Sequence, residues 1–306
     1  MKMTKAILAA TIAGIGIFWT VDSFKNSQYL SQVFHMMNKV KKEAEPDQDL
    51  SPTLDHMSVE QISIEQTQNE DSLLKDRTIE KKSVLDLSDS LLAVVQANAP
   101  ELNVKENTDG QAMITNPSSP LVLVNKQRNL PPTYEPEDLI IPEVDFSFTG
   151  YHPKKQLRKP AAEALEKLFH KAKENEIDLK AVSGYRSYET QYAIFNHYSE
   201  EVGEDAANKW SALPGQSEHQ TGLAIDVSSS SVGYDLIPSF GDSKEGKWLS
   251  ENAAEFGFIL RYPKQQEEIT GYSYEPWHLR FIGVELAKII TEQNRTLEDV
   301  FSKIIR

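Results

Sequence analysis

The chain has 306 residues, enough for one large or two modest domains, and 39% of them are hydrophobic and 25% charged. These averages are ordinary for a globular protein, but they combine an apolar N-terminus, a polar middle and a globular C-terminal half. The formal net charge of -14 argues against binding to nucleic acid, which needs clustered Lys and Arg. The absence of cysteine excludes disulfides, thiolate metal sites and a lipid-modified N-terminal cysteine. Any metal site must therefore use histidine and carboxylate ligands.

Residues 1–21 have the features of an export signal. Two lysines within residues 1–5 precede an uncharged, mainly apolar run over residues 6–21. This run is long for the core of a signal peptide and short for a membrane span, which needs about 20 residues. The following TVDSFKNSQ lacks a small-x-small cleavage pattern, which favours an uncleaved anchor over a cleaved signal and a secreted product. Since lysines precede the run, we expect the rest of the chain to be extracytoplasmic and anchored in the membrane.

Residues 22–117 are polar, of mixed charge and poor in aromatic residues. Such a segment cannot bury enough apolar surface to offset the entropy of the chain, so it is predicted to be a stalk, largely disordered or helical. Residues 83–98 are compatible with one amphipathic helix. The character changes at residue 118, where a β-branched run is followed by Pro-punctuated chain. The folded domain is therefore predicted to span residues 118–306.

Within this domain, helical and strand patterns alternate. Apolar residues recur on one helical face over 160–176, and Pro160 suits the start of a helix. Further helices are predicted at 188–203, 246–258 and in the last part of the chain, and short strands at 177–183 and 223–227. The first strand delivers Arg186 to a turn. This mixture predicts an α+β fold with a small mixed or antiparallel sheet flanked by helices.

Four residues form the candidate reaction centre. His219 lies in a Gly-containing turn and Asp226 in the strand that follows, so that two potential ligands bracket one turn, and His278 can be the third. Catalytic zinc takes three such protein ligands and keeps a fourth position open. Glu275 precedes His278 by three residues and suits a general base that takes a proton from water and passes it to a leaving amine. The pattern predicts one zinc ion per chain and amide hydrolysis without a covalent intermediate.

The strings SEHQTGLAIDV and EPWH resemble the signature of VanY-type D-alanyl-D-alanine carboxypeptidases and related L,D-carboxypeptidases. The strings LVLVNKQRNLPPTYEPEDL and SGYRSYETQ extend the resemblance over residues 118–290. It implies a LAS or hedgehog-like fold with a zinc site in a cleft, and removal of the C-terminal D-alanine from peptidoglycan stem peptides. It also implies that Arg186, Gln191 and Ser217 contact the substrate, with Arg186 binding its carboxylate or polarising the scissile carbonyl.

The sequence leaves several alternatives open. The protein can instead be a peptidoglycan endopeptidase, or a wall-binding zinc module without catalysis, although Glu275 argues against the module. The choice between the D,D-bond of a pentapeptide and the L,D-bond of a tetrapeptide depends on the shape of the pocket. We expect a monomer whose partners are stem peptides and, through the N-terminal segment, the membrane.

Overall fold

The computed structural model describes residues 87–304, which lie within one compact unit. The predicted anchor over residues 1–21 lies outside the described residues, as does the predicted stalk up to residue 86. None of the helices within residues 87–304 has the length and apolar character needed to cross a membrane.

The described residues form eight α-helices, eight short strands and several 3-10 helices. The helices are α1 (Asp89–Ala97), α2 (Lys159–Glu174), α3 (Tyr188–Val202), α4 (Glu204–Trp210), α5 (Lys244–Asn252), α6 (Glu267–Thr270), α7 (Val284–Glu292) and α8 (Leu297–Ile304). The strands are β1 (Val104–Glu106), β2 (Ala112–Ile114), β3 (Leu139–Ile140), β4 (Leu157–Arg158), β5 (Lys180–Ser183), β6 (Ala224–Ser228), β7 (Phe258–Tyr262) and β8 (Glu275–Phe281). These elements confirm the predicted α+β class.

The strands pair in an antiparallel sense throughout the described part of the chain. Two ladders, β1 with β2 and β3 with β4, are separate from a four-stranded sheet of order β5-β6-β8-β7. Successive side chains of a strand point to opposite faces, so β6 and β8 each present an apolar and a polar face. The apolar face shares the main hydrophobic core with the buried side of α2, through Leu165, Leu168, Ile225, Val227 and Leu279. The opposite face therefore carries Asp226 and Ser228 of β6 and His278 and Arg280 of β8.

The predicted helices and strands agree with the structure in the first half of the domain. Helix α2 has a proline in its first turn, and α3 begins after Ser187, whose hydroxyl accepts a hydrogen bond from the Thr190 amide. The helix predicted over residues 246–258 was too long, because α5 ends at Asn252 and a 3-10 turn ends at Gly257, which adopts φ 84°. Strands β7 and β8 were not predicted.

The residues just before the predicted domain boundary are folded. Residues 87–117 were expected to belong to the stalk, but they include α1 and the β1–β2 ladder. Val95 of α1 is fully buried in a second hydrophobic cluster with Leu297, Val300 and Phe301 of α8. The backbone of Ile114 donates to the Asn129 carbonyl at 2.8 Å. The packed part of the chain therefore begins before residue 118.

Candidate active site

His219 lies in a 3-10 turn, Glu218–Thr221, that leads into β6. The turn ends at Gly222, which adopts a left-handed φ of 67° and passes so close to Arg158 and Leu139 that a Cβ would lie 2.9 Å from each side chain. The His219 side chain is buried, and its Nδ1 donates to the Gly184 carbonyl oxygen at 2.7 Å. Its Nε2 lies 3.4 Å from Asp226 Oδ2. This arrangement directs the unprotonated nitrogen of His219 toward Asp226.

His278 reaches the same carboxylate from the neighbouring strand. Asp226 of β6 and His278 of β8 are directly opposite each other in the sheet, and His278 Nδ1 lies 3.1 Å from Asp226 Oδ1. The two imidazole rings are nearly perpendicular, with centroids 4.9 Å apart. The sheet register therefore brings together two of the predicted ligands, and the turn before β6 supplies the third.

The three side chains fit a zinc ion. One ligand atom from each of His219, Asp226 and His278 lies within 4.8 Å of the others. Zinc ligands at about 2.0–2.1 Å in a tetrahedron are roughly 3.3 Å apart, which is close to the 3.1 Å and 3.4 Å separations between Asp226 and the two imidazoles. Two neutral imidazole nitrogens and one carboxylate are also a donor set that zinc prefers.

Burial and neighbouring charges shift the pKa values of these three groups in different directions. Burial lowers the pKa of His219 to about 4, and the nearby Arg186 acts in the same direction. Burial would raise the pKa of Asp226, but the two histidines hold it well below its usual range. Burial would lower the pKa of His278, but hydrogen bonds to the carboxylates of Asp226 and Glu218 raise it to about 9. Asp226 is therefore ionised, as a metal ligand must be.

Glu275 stands at the edge of this cluster. Its Oε2 lies 3.8 Å from His278 Nδ1, and its side chain keeps 15% exposure, whereas that of Asp226 keeps 4%. Burial raises the pKa of the Glu275 carboxyl to about 7, against the lowering effect of His278. Glu275 thus faces the same point as the ligand atoms, can be reached by water, and exchanges its proton near neutral pH.

The three residues predicted to contact substrate lie near the cluster but differ in their surroundings. Arg186 Nη1 donates to Gln191 Oε1 at 3.0 Å, while the buried Arg186 Nε has no hydrogen-bond partner among the described residues. Gln191 is buried and donates from Nε2 to the Ala212 carbonyl at 2.7 Å. Ser217 is buried directly before the turn that carries His219. Gln191 therefore holds Arg186 in place, and contact of these residues with substrate stays a prediction.

Two charged residues near the site were missed from the sequence. Glu218 is fully enclosed, and its Oε2 lies 3.4 Å from His278 Nε2. Burial lowers the pKa of Lys154 to about 8, and its charge interacts with those of Arg186 and Asp226. The sequence gives one signal for Glu218, because Arg261 and Arg280 interrupt apolar strands and would need a buried anion as partner. It gives none for Lys154.

The fold and the cluster together define an α+β protein with a His/Asp/His site of the kind that holds a metal ion. The sequence pattern of the VanY family, described as D-alanyl-D-alanine carboxypeptidase, matches residues 154–284. The YodJ protein of Bacillus subtilis (strain 168) is 50% identical over 199 residues, which are 65% of this chain and 73% of YodJ. The chain belongs to the VanY family of D-alanyl-D-alanine carboxypeptidases.

Two further relatives agree with this membership. The bifunctional D-Ala-D-Ala dipeptidase and D-Ala-D-Ala carboxypeptidase VanXYC of Enterococcus gallinarum is 38% identical over 181 residues, which are 58% of this chain and 92% of VanXYC. The solved structure of the LdcB LD-carboxypeptidase is similar with a TM-score of 0.63 and 50% identity, over 65% of this chain and 93% of LdcB. The resemblance identified from the sequence is thereby confirmed.

Proposed function

We propose that the chain is a zinc-dependent carboxypeptidase that removes the C-terminal D-alanine from peptidoglycan stem peptides. The observation that carries this proposal is the convergence of Asp226 and two imidazole nitrogens with a second, accessible carboxylate facing the same point. A cluster that only stored a metal ion would not need Glu275 beside it. Membership of the VanY family supports the substrate class.

Different side chains would bind the metal ion and transfer the proton during amide hydrolysis. His219, Asp226 and His278 would hold one zinc ion, which when bound polarises the scissile carbonyl and lowers the pKa of water. Glu275 accepts a proton from the attacking water and transfers it to the nitrogen of the leaving D-alanine. A carboxyl whose pKa is raised to about 7 suits both transfers, because it must take up and then release a proton near neutral pH.

Arg186 is suited to bind the free C-terminus of the substrate. Its guanidinium is oriented by Gln191, and its Nε has no hydrogen-bond partner within residues 87–304. A guanidinium fork matches the geometry of a carboxylate, and its charge strengthens both hydrogen bonds. Binding there would place the last peptide bond, rather than an internal one, at the zinc site.

Of the two candidate bonds, the comparisons favour the L,D-bond of a tetrapeptide. LdcB, described as an LD-carboxypeptidase, is 50% identical to this chain, whereas VanXYC, which is named for action on D-Ala-D-Ala, is 38% identical. We therefore propose that a tetrapeptide stem is cleaved faster than a pentapeptide stem.

The decisive experiment incubates the purified full-length protein with tetrapeptide and pentapeptide stems and identifies the products by mass. We expect release of D-alanine, loss of release after treatment with a chelator, and recovery when zinc is restored. Failure of a folded, zinc-loaded protein to release D-alanine from either stem would rule out the proposed function. Faster cleavage of the pentapeptide would overturn only the bond preference.

We also propose an extracytoplasmic location with an uncleaved N-terminal anchor. The support is the sequence of residues 1–21, where two lysines precede the apolar run. Intact cells treated with an external protease, after removal of the wall, should lose the domain but retain a short N-terminal fragment in the membrane. Recovery of the domain in the culture medium with residues 1–21 removed would show that the signal is cleaved.

A further inference from the structure

The carboxylate of Glu218 lies behind His278, on the side of the imidazole away from Asp226. Its side chain has no exposed surface, and its Oε2 lies 3.4 Å from His278 Nε2. Its other oxygen, Oε1, accepts from Arg261 Nε at 2.8 Å and from Arg280 Nη1 at 2.7 Å. Glu218 thus joins the candidate metal ligand to two buried arginines.

The two arginines keep this carboxylate charged. Its Oε1 accepts hydrogen bonds from both buried guanidiniums, so the carboxylate is the counter-ion of two cations. An ionised carboxylate only accepts hydrogen bonds, so the His278 nitrogen that faces it must donate. Asp226 is itself a candidate metal ligand, so the Nδ1 that faces it can bind the same ion. With Nδ1 bound to the ion, the one proton that His278 keeps lies on Nε2 and faces Glu218.

Neighbouring residues hold Glu218 in place, so that it keeps facing Nε2 of His278. Arg261 of β7 also pairs with Glu298 of α8, with Nη1 and Nη2 at 2.8 Å and 2.6 Å from its two oxygens. Arg280 of β8 donates from Nη2 to the carbonyl oxygens of Pro120 and Val122, each at 2.9 Å. Both guanidiniums are thus held by partners other than Glu218. If Glu218 turned away from His278, it would lose its bonds to both arginines, and the buried Arg280 would lose the carboxylate that it contacts.

The two histidines are oriented by different means. The Gly184 carbonyl accepts the Nδ1 proton of His219, which leaves Nε2 as its ligand atom. Glu218 Oε2 accepts the Nε2 proton of His278, which leaves Nδ1 as the ligand atom of that residue. The opposite choice of nitrogen on the two rings lets both lone pairs point to an ion that Asp226 would also bind.

We propose that Glu218 is the positioning residue of the metal centre, fixing His278 as the Nε2–H tautomer so that Nδ1 binds the metal. The inference rests on the proposed function, because it concerns the same zinc site. Carboxylates that accept from the second nitrogen of a ligating histidine orient the ring and raise its basicity, and their loss costs about 10–100-fold in metal affinity. A Glu218 that only neutralised Arg261 and Arg280 would have no such effect.

The test compares Glu218→Gln with Glu298→Gln in the full-length protein. Glutamine can present its NH2 group to His278 Nε2 and so no longer enforces the tautomer, whereas Glu298→Gln weakens the other pairing of Arg261 and leaves His278 untouched. Zinc affinity is measured by competition with a chromophoric chelator, and the ligand field by the absorption spectrum of the cobalt-substituted protein. We expect about 10–100-fold weaker zinc binding and an altered cobalt spectrum for Glu218→Gln only. Equal zinc affinity and spectra for Glu218→Gln and the wild type would overturn the proposal.

A second measurement needs no variant. In the zinc-loaded wild-type protein labelled with ¹⁵N-histidine, the proposal requires a protonated Nε2 and a metal-bound Nδ1 on His278, and the reverse on His219. A metal-bound Nε2 on His278 would overturn the inference even if Glu218→Gln fails to fold. Wild-type protein that binds no zinc would instead rule out the proposed zinc-dependent function. Failure of the Glu218 proposal can therefore be distinguished from failure of the proposed function.

Discussion

Glu275 differs from the other two carboxylates around His278 in its access to water. Its side chain keeps 15% exposure, whereas Asp226 keeps 4% and Glu218 none. The enclosed carboxylates are occupied by histidines and arginines, so they cannot exchange protons with a substrate. At the scale of single residues, Glu275 is therefore the one of these three carboxylates that water can reach, which supports its proposed role as the base.

Replacing Glu275 with glutamine should remove turnover while the metal stays bound. The amide cannot accept the proton of the attacking water, and general-base assistance contributes about 10²–10⁴-fold to such reactions. D-alanine release and zinc content, measured on the same preparation, check this prediction. Unchanged turnover in the variant would show that Glu275 is not the base. A wild type that binds wall fragments but releases no D-alanine would instead favour a non-catalytic module.

Replacing Arg186 with lysine should raise KM for a peptide with a free C-terminus. Lysine retains the charge but not the planar fork, and loss of a buried charged partner costs about 2 kcal/mol or more, which is roughly 30-fold in kcat/KM. Amidation of the substrate C-terminus should slow the wild-type enzyme by a similar factor and have little further effect on the variant. If amidation leaves the wild-type rate unchanged, Arg186 does not bind a C-terminal carboxylate and the endopeptidase alternative is favoured.

The candidate ligands could be found from the sequence, whereas the residue behind them could not. His219 and Asp226 lie on either side of one turn, and the zinc donor set limits the choice in a chain with only seven histidines and no cysteine. Glu218 acts through partners that are distant along the chain, with Arg261 and Arg280 lying 43 and 62 positions later. The two arginines indicate that a buried anion is needed, but the carboxylate that supplies it can be identified only when the strands are placed side by side.

At the scale of elements, local pattern identified those with an ordinary apolar period. Helix α2 and strand β6 follow the periods of a helix and a strand and were predicted. Strands β7 and β8 were missed, because Arg261, His278 and Arg280 occupy positions where a half-buried strand usually carries apolar residues. These charges are tolerated because each is paired within the fold, and pairing of this kind has no local signal.

The turn after β5 positions His219 through a single backbone carbonyl, and this makes Gly184 sensitive. A Cβ at Gly184 would lie 2.5 Å from the Gln156 carbonyl oxygen, so the turn would have to shift. We expect Gly184→Ala to lower the free energy of unfolding by about 1–3 kcal/mol and also to weaken zinc binding, because the carbonyl that orients His219 moves with the turn.

Gly203→Ala is the matched control for this prediction. Gly203 lies between α3 and α4 with φ 83°, and a Cβ there would meet nothing within 4 Å. The substitution should cost about 1–3 kcal/mol through backbone strain while zinc affinity is unchanged. Thermal unfolding and chelator competition measure both quantities. Equal zinc affinity for the two variants would show that the Gly184 turn does not affect zinc binding.

At the scale of the whole molecule, the folded part begins earlier than its composition indicates. Residues 87–117 are polar enough to be interpreted as a stalk, yet Val95 belongs to a hydrophobic cluster that also contains residues of β7, α7 and α8. The pattern of residues 83–98 is compatible with a helix, but most of the residues that pack around Val95 lie more than 150 positions later in the chain. The boundary was therefore placed where apolar residues first become dense, at residue 118, although the packing had already begun.

Val95→Ala tests whether α1 is an integral part of the domain. Removing two buried methyl groups should lower the free energy of unfolding by about 2 kcal/mol through lost burial and a residual cavity. Its neighbour Val94, which is 49% exposed, provides the control, and Val94→Ala should change stability by less than about 0.5 kcal/mol. Urea unfolding of the two variants and the wild type gives the comparison. Equal stability of the three proteins would indicate that residues 87–117 belong to the stalk and do not stabilise the domain. A selective loss in Val95→Ala would show that the packing of α1 against the second hydrophobic cluster stabilises the domain.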